Sequence, residues 1–350
     1  MRIARHFTRL FFLLSAIPAL SQAPVPAMRV KIVPIDAEKR VDIYVDDELF
    51  TSYIYPDNLE KPVLYPVRTA TGKVVTRGFP LQPRPGERID HPHQTGWWFN
   101  YGDVNGLDFW NNSYAIPAAD KARYGSIRNV KVLKTTDGPG LGTLVVECGW
   151  VDQQNNALLH EETTFEFSGD PNLRRVVRTT RLTAVNGTVR FGDSKEGLCA
   201  MRVDRAFETP SETPEIFTDA AGNATALPVL NNTGVNGIYR SSEGMEKDAV
   251  WGTRASWVTL SASKDGESIS LAMLDHPENP GYPAYWHARG YGLFSVNNLG
   301  RNAYNPAEPE NLVVLEQGAT LTFKHMLLVC SGGFLDAEKM KTEASWFARQ

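Results

Sequence analysis

The sequence is poor in the features that mark several common protein classes. It has 3 cysteines in 350 residues, and Cys148, Cys199 and Cys330 each lie inside an apolar run, far from one another. An odd number of cysteines at such spacing is no disulfide framework, so we expect buried free thiols. The formal net charge is only -4, which argues against the basic face that nucleic-acid binding requires.

Motifs for nucleotide and serine chemistry are also missing. The chain has no Gly-x-Ser-x-Gly elbow, no Walker loop and no dinucleotide-binding fingerprint, so these enzyme classes are not indicated. Beyond the N-terminus, no apolar run reaches the ~20 residues of a membrane-spanning helix. We therefore expect a mature chain with no membrane span and no nucleic-acid partner.

The N-terminus has the pattern of a removable secretion signal. Three arginines precede a short apolar stretch from Leu10 to Leu20, and the small residues Ser21-Gln22-Ala23 follow. This pattern predicts a signal peptide over residues 1–23, cleaved before Pro24. The mature protein is then expected in the periplasm or outside the cell.

Short strand-like runs dominate the rest of the sequence. They are rich in Val, Ile, Thr and aromatic residues and are bounded by turn-forming residues; the clearest are Val30 to Ile35, Val41 to Val45, Val130 to Leu133, Thr143 to Val151, His160 to Phe167, Leu173 to Leu182 and Ser268 to Leu274. Strict alternation, as in Arg175 to Leu182, fits antiparallel strands with one wet face. The segments Ala118 to Arg123 and Leu335 to Ala348 look helical, and Ser211 to Asn236 reads as a long loop. We predict an all-β protein in which residues 24–350 form one large antiparallel β-sandwich with a short C-terminal helix.

Four of the seven histidines lie in two distant His-Pro segments that are rich in aromatic and amide side chains. The first segment, Asp90 to Trp110, contains His91 and His93, and the second, Asp275 to Arg289, contains His276 and His287. Histidine changes its charge near neutral pH, and its concentration beside Trp, Asn and Asp indicates a site rather than a surface. We predict that the two segments converge on one pocket.

Acid–base chemistry in that pocket needs groups with separated pKa values. The predicted catalytic residues are His91, Glu196 and His287. Glu196 lies in Asp193 to Gly197, which interrupts an apolar strand pattern running from Val189 to Val203. Either this segment is a solvated bend, or Glu196 points into the pocket with Lys195 or Arg202 tuning its pKa.

Aromatic and amide side chains near the histidines indicate a saccharide ligand. Flat rings match the apolar face of a pyranose, while amides, His and Arg match its hydroxyl groups. Trp286 is the predicted stacking platform and Arg289 the residue for an anionic or oxidised group. The full set of predicted substrate-binding residues is His93, Trp97, Asn105, His276, Trp286, Arg289 and Asn297. The competing interpretation is a buried strand whose rings only fill the core.

Two further features have alternative interpretations. The loop Gly102 to Asp108 has the composition of a calcium loop but lacks EF-hand spacing, so we expect a tight turn in which Asp103 or Asn105 bonds the backbone or a polar ligand. His91 and His93 share one face of an extended segment, and together with His276 they form an alternative metal site. No cofactor is otherwise expected.

Three functions are compatible with these residues. The leading hypothesis is a carbohydrate-active hydrolase, lyase or epimerase that acts on a small-molecule or oligosaccharide ligand by His/Glu acid–base chemistry. The first alternative is a metal-dependent oxygenase or hydrolase that uses the histidine cluster with a divalent ion. The second alternative is a non-catalytic carbohydrate-binding module.

The segments Asp90 to Trp110, Asp193 to Gly197 and Asp275 to Arg289 together resemble the bacterial PmoA-like family, known as methane oxygenase PmoA, over about Pro34 to Val329. This resemblance implies a secreted, sugar-associated protein of unknown function, with a galactose-mutarotase-like sandwich by analogy. Members often carry another histidine where this chain has Gln94-Thr95, so a third clustered histidine ligand is absent here.

Overall fold

The computed structural model describes residues 27–350. The predicted signal peptide, residues 1–23, lies outside the described residues and stays a prediction. No helix within the described part of the chain is long and apolar enough to cross a membrane.

Antiparallel strands account for most of the regular structure. The strands are β1 (Arg29–Ile35), β2 (Arg40–Val45), β3 (Glu48–Ile54), β4 (Val63–Leu64), β5 (Trp97–Tyr101), β6 (Ser126–Thr136), β7 (Gly138–Pro139), β8 (Gly142–Val151), β9 (Ala157–Asp170), β10 (Leu173–Ala184), β11 (Val189–Phe191), β12 (Gly197–Arg202), β13 (Ile238–Ser241), β14 (Trp257–Lys264), β15 (Glu267–Asp275), β16 (Tyr285–Arg289), β17 (Leu293–Asn297), β18 (Val313–Leu315) and β19 (Thr320–Ser331). The α-helix is α1 (Ala337–Phe347), and 3-10 helices cover Asp36–Glu38, Ala118–Arg123, Arg205–Phe207 and Lys247–Val250.

The strands form two large sheets that pack as a sandwich. One has nine strands in the order β16-β17-β12-β5-β4-β3-β2-β1-β7, and the other has eight in the order β13-β14-β15-β19-β10-β9-β8-β6. Strands β11 and β18 pair separately. The predicted fold class, a large antiparallel β-sandwich with a short C-terminal helix, is confirmed.

The alternation of apolar side chains explains why the sheets pack face to face. Ile43, Phe99 and Tyr101 of the nine-stranded sheet meet Phe165 and Phe167 of the eight-stranded sheet in the main core cluster. Alternate residues of each strand point to opposite faces, so one set of side chains fills the space between the sheets. The other set covers the two outer faces.

The outer faces differ in what covers them. Helix α1 packs on the eight-stranded sheet, where Met340 and Phe347 join the apolar cluster of Leu274 and Leu328. The helix begins at Asp336, whose carboxylate accepts a hydrogen bond from the Lys339 N–H at 2.9 Å, a standard N-cap. The outer face of the nine-stranded sheet is covered by loops and carries the polar residues described next.

The three cysteines are free and buried, as the sequence predicted. The segment Ser211 to Asn236 contains no helix and no named strand, so the predicted long loop is confirmed. The predicted Ala118 to Arg123 helix is present as a 3-10 helix.

Candidate functional site

The candidate site lies on the outer face of the nine-stranded sheet. His287 on β16 pairs with Ser295 on β17, which pairs in turn with Ala200 on β12. Ala200 then pairs with Trp98 on β5. Directly paired residues of neighbouring strands point to the same face, so these four side chains form one row across it.

The segment that carries Glu196 is held in place by hydrogen bonds to residues 301–311 and to Asn297. The Asp193 carboxylate accepts hydrogen bonds from four backbone N–H groups of residues 301–311. The Asn297 amide donates to the Ser194 carbonyl at 2.9 Å. A Cβ atom at Gly197 would lie 2.5 Å from the Tyr101 ring, so glycine lets the chain approach the sheet directly after Glu196.

His287 is held as a neutral imidazole with a defined tautomer. Its Nδ1 lies 3.1 Å from the Lys195 carbonyl oxygen, which also accepts a hydrogen bond from the Tyr304 hydroxyl at 2.7 Å. A carbonyl oxygen only accepts, so Nδ1 carries the proton and Nε2 carries the lone pair. Burial, helped by the charges of Arg289 and Lys195, lowers the pKa of His287 to about 3. Its Nε2 is therefore available as a base at neutral pH.

The Glu196 carboxylate is poised beside this imidazole without being bonded to it. His287 Nδ1 and Lys195 Nζ both lie 3.8 Å from the carboxylate oxygens, which is too long for a hydrogen bond. Burial raises the pKa of Glu196 above its ordinary value, although the charge of Lys195 opposes this. The predicted tuning by Lys195 agrees with this geometry.

His91 is oriented by a carboxylate that two buried arginines hold in place. Asp90 Oδ2 lies 2.6 Å from His91 Nδ1, and Asp90 Oδ1 accepts hydrogen bonds from Arg202 and Arg77 at 2.7 Å each. Burial opposes ionisation of Asp90, but both arginines and His91 outweigh it and hold its pKa well below the ordinary range. Arg202 thus pairs with Asp90, and of the two predicted partners, Lys195 and Arg202, it is Lys195 that acts on the pKa of Glu196.

Tyr291 ties the two histidine segments together. Its ring stacks on the His91 ring, with centroids 5.0 Å apart and an angle of 6° between planes. The guanidinium groups of Arg202 and Arg289 lie 4.8 and 5.9 Å from the same ring. Tyr291 stands in the turn between β16 and β17, where Gly292 has a φ of +92° and donates its N–H to the Arg289 carbonyl.

The structure brings His91, Glu196 and His287 to one site. Tyr291 stacks on the His91 ring and has the Arg289 guanidinium 5.9 Å from its own ring, and Arg289 lies on the same strand face as His287, two residues away. We call His91 and His287 the imidazole pair. In each, Nδ1 contacts an acceptor, Asp90 or the Lys195 carbonyl, and Nε2 lies on the opposite side of the ring. Their catalytic roles stay predictions.

His93 lies deeper than His91 and beside a buried lysine. The rings of His91 and His93 are 5.6 Å apart in a T-shaped arrangement. Lys61 donates a hydrogen bond to the His93 carbonyl at 2.6 Å and lies 5.2 Å from the Trp98 ring centre. Burial lowers the pKa of Lys61 to about 7, even though Glu60 and Asp108 favour its charged form.

Two predicted aromatic contacts are wrong because of strand alternation. Trp97 and Trp286 are both 0% exposed and belong to the core between the sheets. Trp286 donates its indole N–H to the Ala255 carbonyl at 2.9 Å. It therefore cannot be a stacking platform. The neighbours Trp98 and His287 point to the outer face of the sheet, where Trp98 is itself fully buried.

The predicted ligand contacts of two asparagines are also wrong. The Asn105 amide accepts from the Arg190 N–H and donates to the Thr188 carbonyl, so the predicted tight turn in which Asn105 bonds the backbone is confirmed. Asn297 is fully buried, accepts from the Leu299 and Gly300 N–H groups, and donates to the Ser194 carbonyl. Asn297 therefore acts by fixing the segment that carries Glu196.

His276 does not join the imidazole pair. It follows β15 of the eight-stranded sheet, and its ring lies edge-on to Phe347 of α1 with centroids 5.0 Å apart. The predicted substrate contact of His276 is therefore wrong, and the alternative metal set of His91, His93 and His276 is not assembled. Within residues 27–350, no three His, Cys, Asp or Glu side chains are grouped to hold one metal ion.

Several site residues were missed in the sequence. Asp90 precedes His91 directly, and that adjacency is the one local signal for their contact. Trp98 could have been found if the correct face of β5 had been assigned to the outside of the sandwich. Arg77 and Tyr291 gave no signal, because their roles depend on loops that meet only in the folded chain.

Comparison with known proteins identifies a family but no activity. The model of a family of unknown function, DUF6807, matches residues 40–345. The PmoA-like assignment is therefore wrong: the matching family is DUF6807, and nothing shows a PmoA-like family. No curated protein matches the chain.

The solved structures similar to this chain include proteins described as carbohydrate-related. A GH36 alpha-galactosidase, AgaB from Geobacillus stearothermophilus, is 12% identical with a TM-score of 0.40 over 88% of this chain and 42% of its own. A galactose mutarotase-like protein from Clostridium acetobutylicum is 10% identical with a TM-score of 0.36, over 87% of this chain and 98% of its own. A galactose mutarotase related enzyme from Lactobacillus acidophilus is 7% identical with a TM-score of 0.30, over 87% and 98%. The chain spans about two fifths of the length of the alpha-galactosidase, and similarity at this level says nothing about its activity.

Proposed function

The chain belongs to DUF6807, a family of unknown function, and we propose that it is a carbohydrate-active enzyme of the periplasm or cell exterior. It would bind a saccharide on the outer face of the nine-stranded sheet and transform it by acid–base chemistry. The N-terminal sequence pattern alone supports the location. The site geometry supports the chemistry.

The observation that carries this proposal is the difference between the two members of the imidazole pair. His287 Nδ1 is held by a neutral carbonyl at 3.1 Å, and burial keeps the ring neutral. His91 Nδ1 is held by the Asp90 carboxylate at 2.6 Å, which fixes the orientation of its ring. The two imidazoles thus have different Nδ1 partners, a neutral carbonyl and a carboxylate, and each has Nε2 directed away from that partner for proton transfer.

The remaining groups fit recognition of sugar hydroxyls. The Glu196 carboxylate is partly exposed and has no charged neighbour nearer than 3.8 Å, so it is open to a ligand hydroxyl or to the proton moved by His287. The exposed Arg289 guanidinium lies at the rim beside Tyr291. These groups bind and orient the ligand, while the imidazole pair moves the protons.

A saccharide panel with product analysis tests the proposal. Wild-type protein is incubated with neutral, acidic and sulfated oligosaccharides, and products are followed by NMR and mass spectrometry. A new reducing end indicates hydrolysis, an unsaturated product indicates elimination, and an inverted stereocentre indicates epimerisation. We expect one of these products, and we expect His91→Gln and His287→Gln to reduce turnover at least ~100-fold.

The matched control is His160→Gln, at a partly exposed histidine on β9 that faces Glu147. It should turn over the same substrate at the wild-type rate. If His91→Gln and His287→Gln also keep the wild-type rate on a responsive substrate, the acid–base assignment is wrong. Binding without turnover across the panel would indicate a carbohydrate-binding module instead.

A further inference from the structure

A small cavity beside His93, whose ring lies 5.6 Å from that of His91, has features that acid–base chemistry does not explain. Its volume is about 120 Å³, and its lining includes Lys61, His93, Thr95, Asn112 and Ser113. Pockets that hold a whole small ligand usually begin at about 300 Å³. This cavity therefore has room for one substituent of a ligand rather than for a sugar ring.

The buried charge of Lys61 at this cavity has no ion-pair partner. Lys61 is 5% exposed, and it has no ion pair with any carboxylate of the described residues. Glu60 also lines the cavity, but its carboxylate is already paired with Lys121 and Arg128 at 3.1 and 2.7 Å. Arg77 and Arg202 lie outside the lining and share the Asp90 carboxylate. Burial of an uncompensated charge is costly, so an anion that enters the cavity would supply the missing negative charge.

The unpartnered Nε2 atom of His93 also indicates that the cavity can take an anion. His93 lines the cavity and is 8% exposed, and its Nε2 has no hydrogen-bond partner among residues 27–350. Burial is the main influence on His93, and the charged groups that act on it most are positive: Lys61, His91, Arg202 and Arg77. A neutral His93 that protonates Nε2 can donate to an anionic oxygen. Buried polar atoms are normally satisfied, so the cavity lacks a partner that a ligand can provide.

We propose that this cavity is a subsite for an anionic substituent, a carboxylate or a sulfate ester, of the saccharide bound at the imidazole pair. Lys61 would provide the charge and His93 Nε2 a hydrogen bond. The inference rests on the proposed function for the rest of the ligand. The anion subsite itself rests only on the cavity and its charges.

Sugars that differ at one position test the subsite. Glucose, glucuronate and glucose 6-sulfate share one ring, and their affinities for wild-type protein are measured by calorimetry. We expect at least one acidic sugar to bind about tenfold or more tightly than glucose, since hydrogen bonds to charged groups are the stronger ones. Preference for glucuronate assigns the source of the anion as a carboxylate, and preference for glucose 6-sulfate assigns it as a sulfate ester.

Lys61→Met is the informative variant, because it keeps the length of the side chain and removes the charge. We expect it to lose the preference for the acidic sugar while glucose affinity stays within about twofold. Removing a buried unpaired charge should leave the variant folded, with a melting temperature no lower than that of the wild type. The control is Lys341→Gln, which removes an exposed lysine of α1 and should keep the preference. Equal affinity of wild-type protein for all three sugars would overturn the inference, as would an acidic preference that survives Lys61→Met.

Sulfate and acetate alone separate this inference from the proposed function. At matched ionic strength, we expect sulfate or acetate to raise the melting temperature of the wild type more than that of Lys61→Met. If no sugar binds, the proposed function fails, but selective protection by these ions still supports the anion subsite. If no sugar binds and the two proteins respond equally to the ions, both ideas are wrong.

Discussion

Asp90 and His91 are neighbours in the chain and also partners in space, with Asp90 Oδ2 2.6 Å from His91 Nδ1. His91 has a φ of 45°, in the left-handed region that residues other than glycine rarely adopt. The other oxygen of Asp90 is bonded to two buried arginines. An exposed imidazole at the rim of the site is thus connected to charges that are themselves buried.

Replacing Asp90 by Asn should affect both stability and activity. The substitution leaves Arg77 and Arg202 buried without their counter-charge, which we expect to cost about 3–5 kcal/mol of unfolding free energy. Turnover should fall at least ~100-fold, because His91 loses its orienting acceptor. Urea unfolding and steady-state kinetics measure the two effects. Asp57→Asn, at an exposed carboxylate paired with Lys39, should change unfolding free energy by less than about 0.5 kcal/mol; equal stability of the two variants would contradict the prediction.

Buried histidines should make the protein less stable as the pH falls. Burial lowers the pKa values of His287 and His325 to about 3, below the unfolded value of about 6.5. The unfolded chain therefore binds more protons below about pH 6.5, so stability present at pH 7.5 declines as the pH falls toward the folded pKa values. We expect a loss of about 2 kcal/mol per histidine at pH 5.

His325→Gln should remove its share of that loss. Glutamine can still donate to Asn298, which His325 Nε2 contacts at 2.9 Å, but it takes up no proton. Unfolding free energies of the variant and the wild type are compared at pH 7.5 and pH 5, with His160→Gln as the control. An unchanged difference between the two pH values would show that His325 does not contribute.

Trp286 and Tyr291 should have opposite effects on stability and on function. Trp286→Phe loses a buried hydrogen bond to Ala255 and part of its core packing, so we expect a cost of about 1–3 kcal/mol with normal turnover per folded molecule. Tyr291→Ala removes the ring that stacks on His91, so turnover should fall while stability changes less. A Trp286→Phe protein that folds but no longer acts on the substrate would restore the idea of a Trp286 platform.

Glu196 should determine the acidic limb of the pH–rate profile. Burial raises its pKa above the ordinary value, and the ionised form is the one that can accept a hydrogen bond or proton. Activity should therefore fall as the pH drops through this raised pKa, with a midpoint above that of a solvent-exposed glutamate. Glu196→Gln should flatten this limb. A limb of unchanged midpoint in that variant would assign it to another group.

Strand alternation decided much of what the sequence could predict. The strands and the sandwich follow from period-two apolar patterns, and the distribution of His and Glu predicted the candidate site. The face assigned to each strand was the weak point. In β5, Trp97 and Trp98 are adjacent and both buried, and in β16 so are Trp286 and His287. Burial of a residue therefore does not show which face of the sheet it belongs to. Trp97 and Trp286 were consequently placed on the wrong face.

Long-range contacts explain the other differences. His276 lies in a motif that looks like that of His91, yet its strand belongs to the eight-stranded sheet. Lys61 and Arg77 lie in segments of ordinary composition, and their burial depends on loops that close over them. No local pattern carries that information, because it arises from how distant segments pack.

The Asp193 carboxylate has a consequence for engineering this protein. Its four acceptor contacts bind residues 301–311 to the segment that presents the Lys195 carbonyl and Glu196. Substitutions in residues 301–311 would shift the Lys195 carbonyl, which is the acceptor of His287 Nδ1, without changing a residue that contacts the ligand. A library confined to this loop is therefore a route to altered selectivity that leaves the imidazole pair intact.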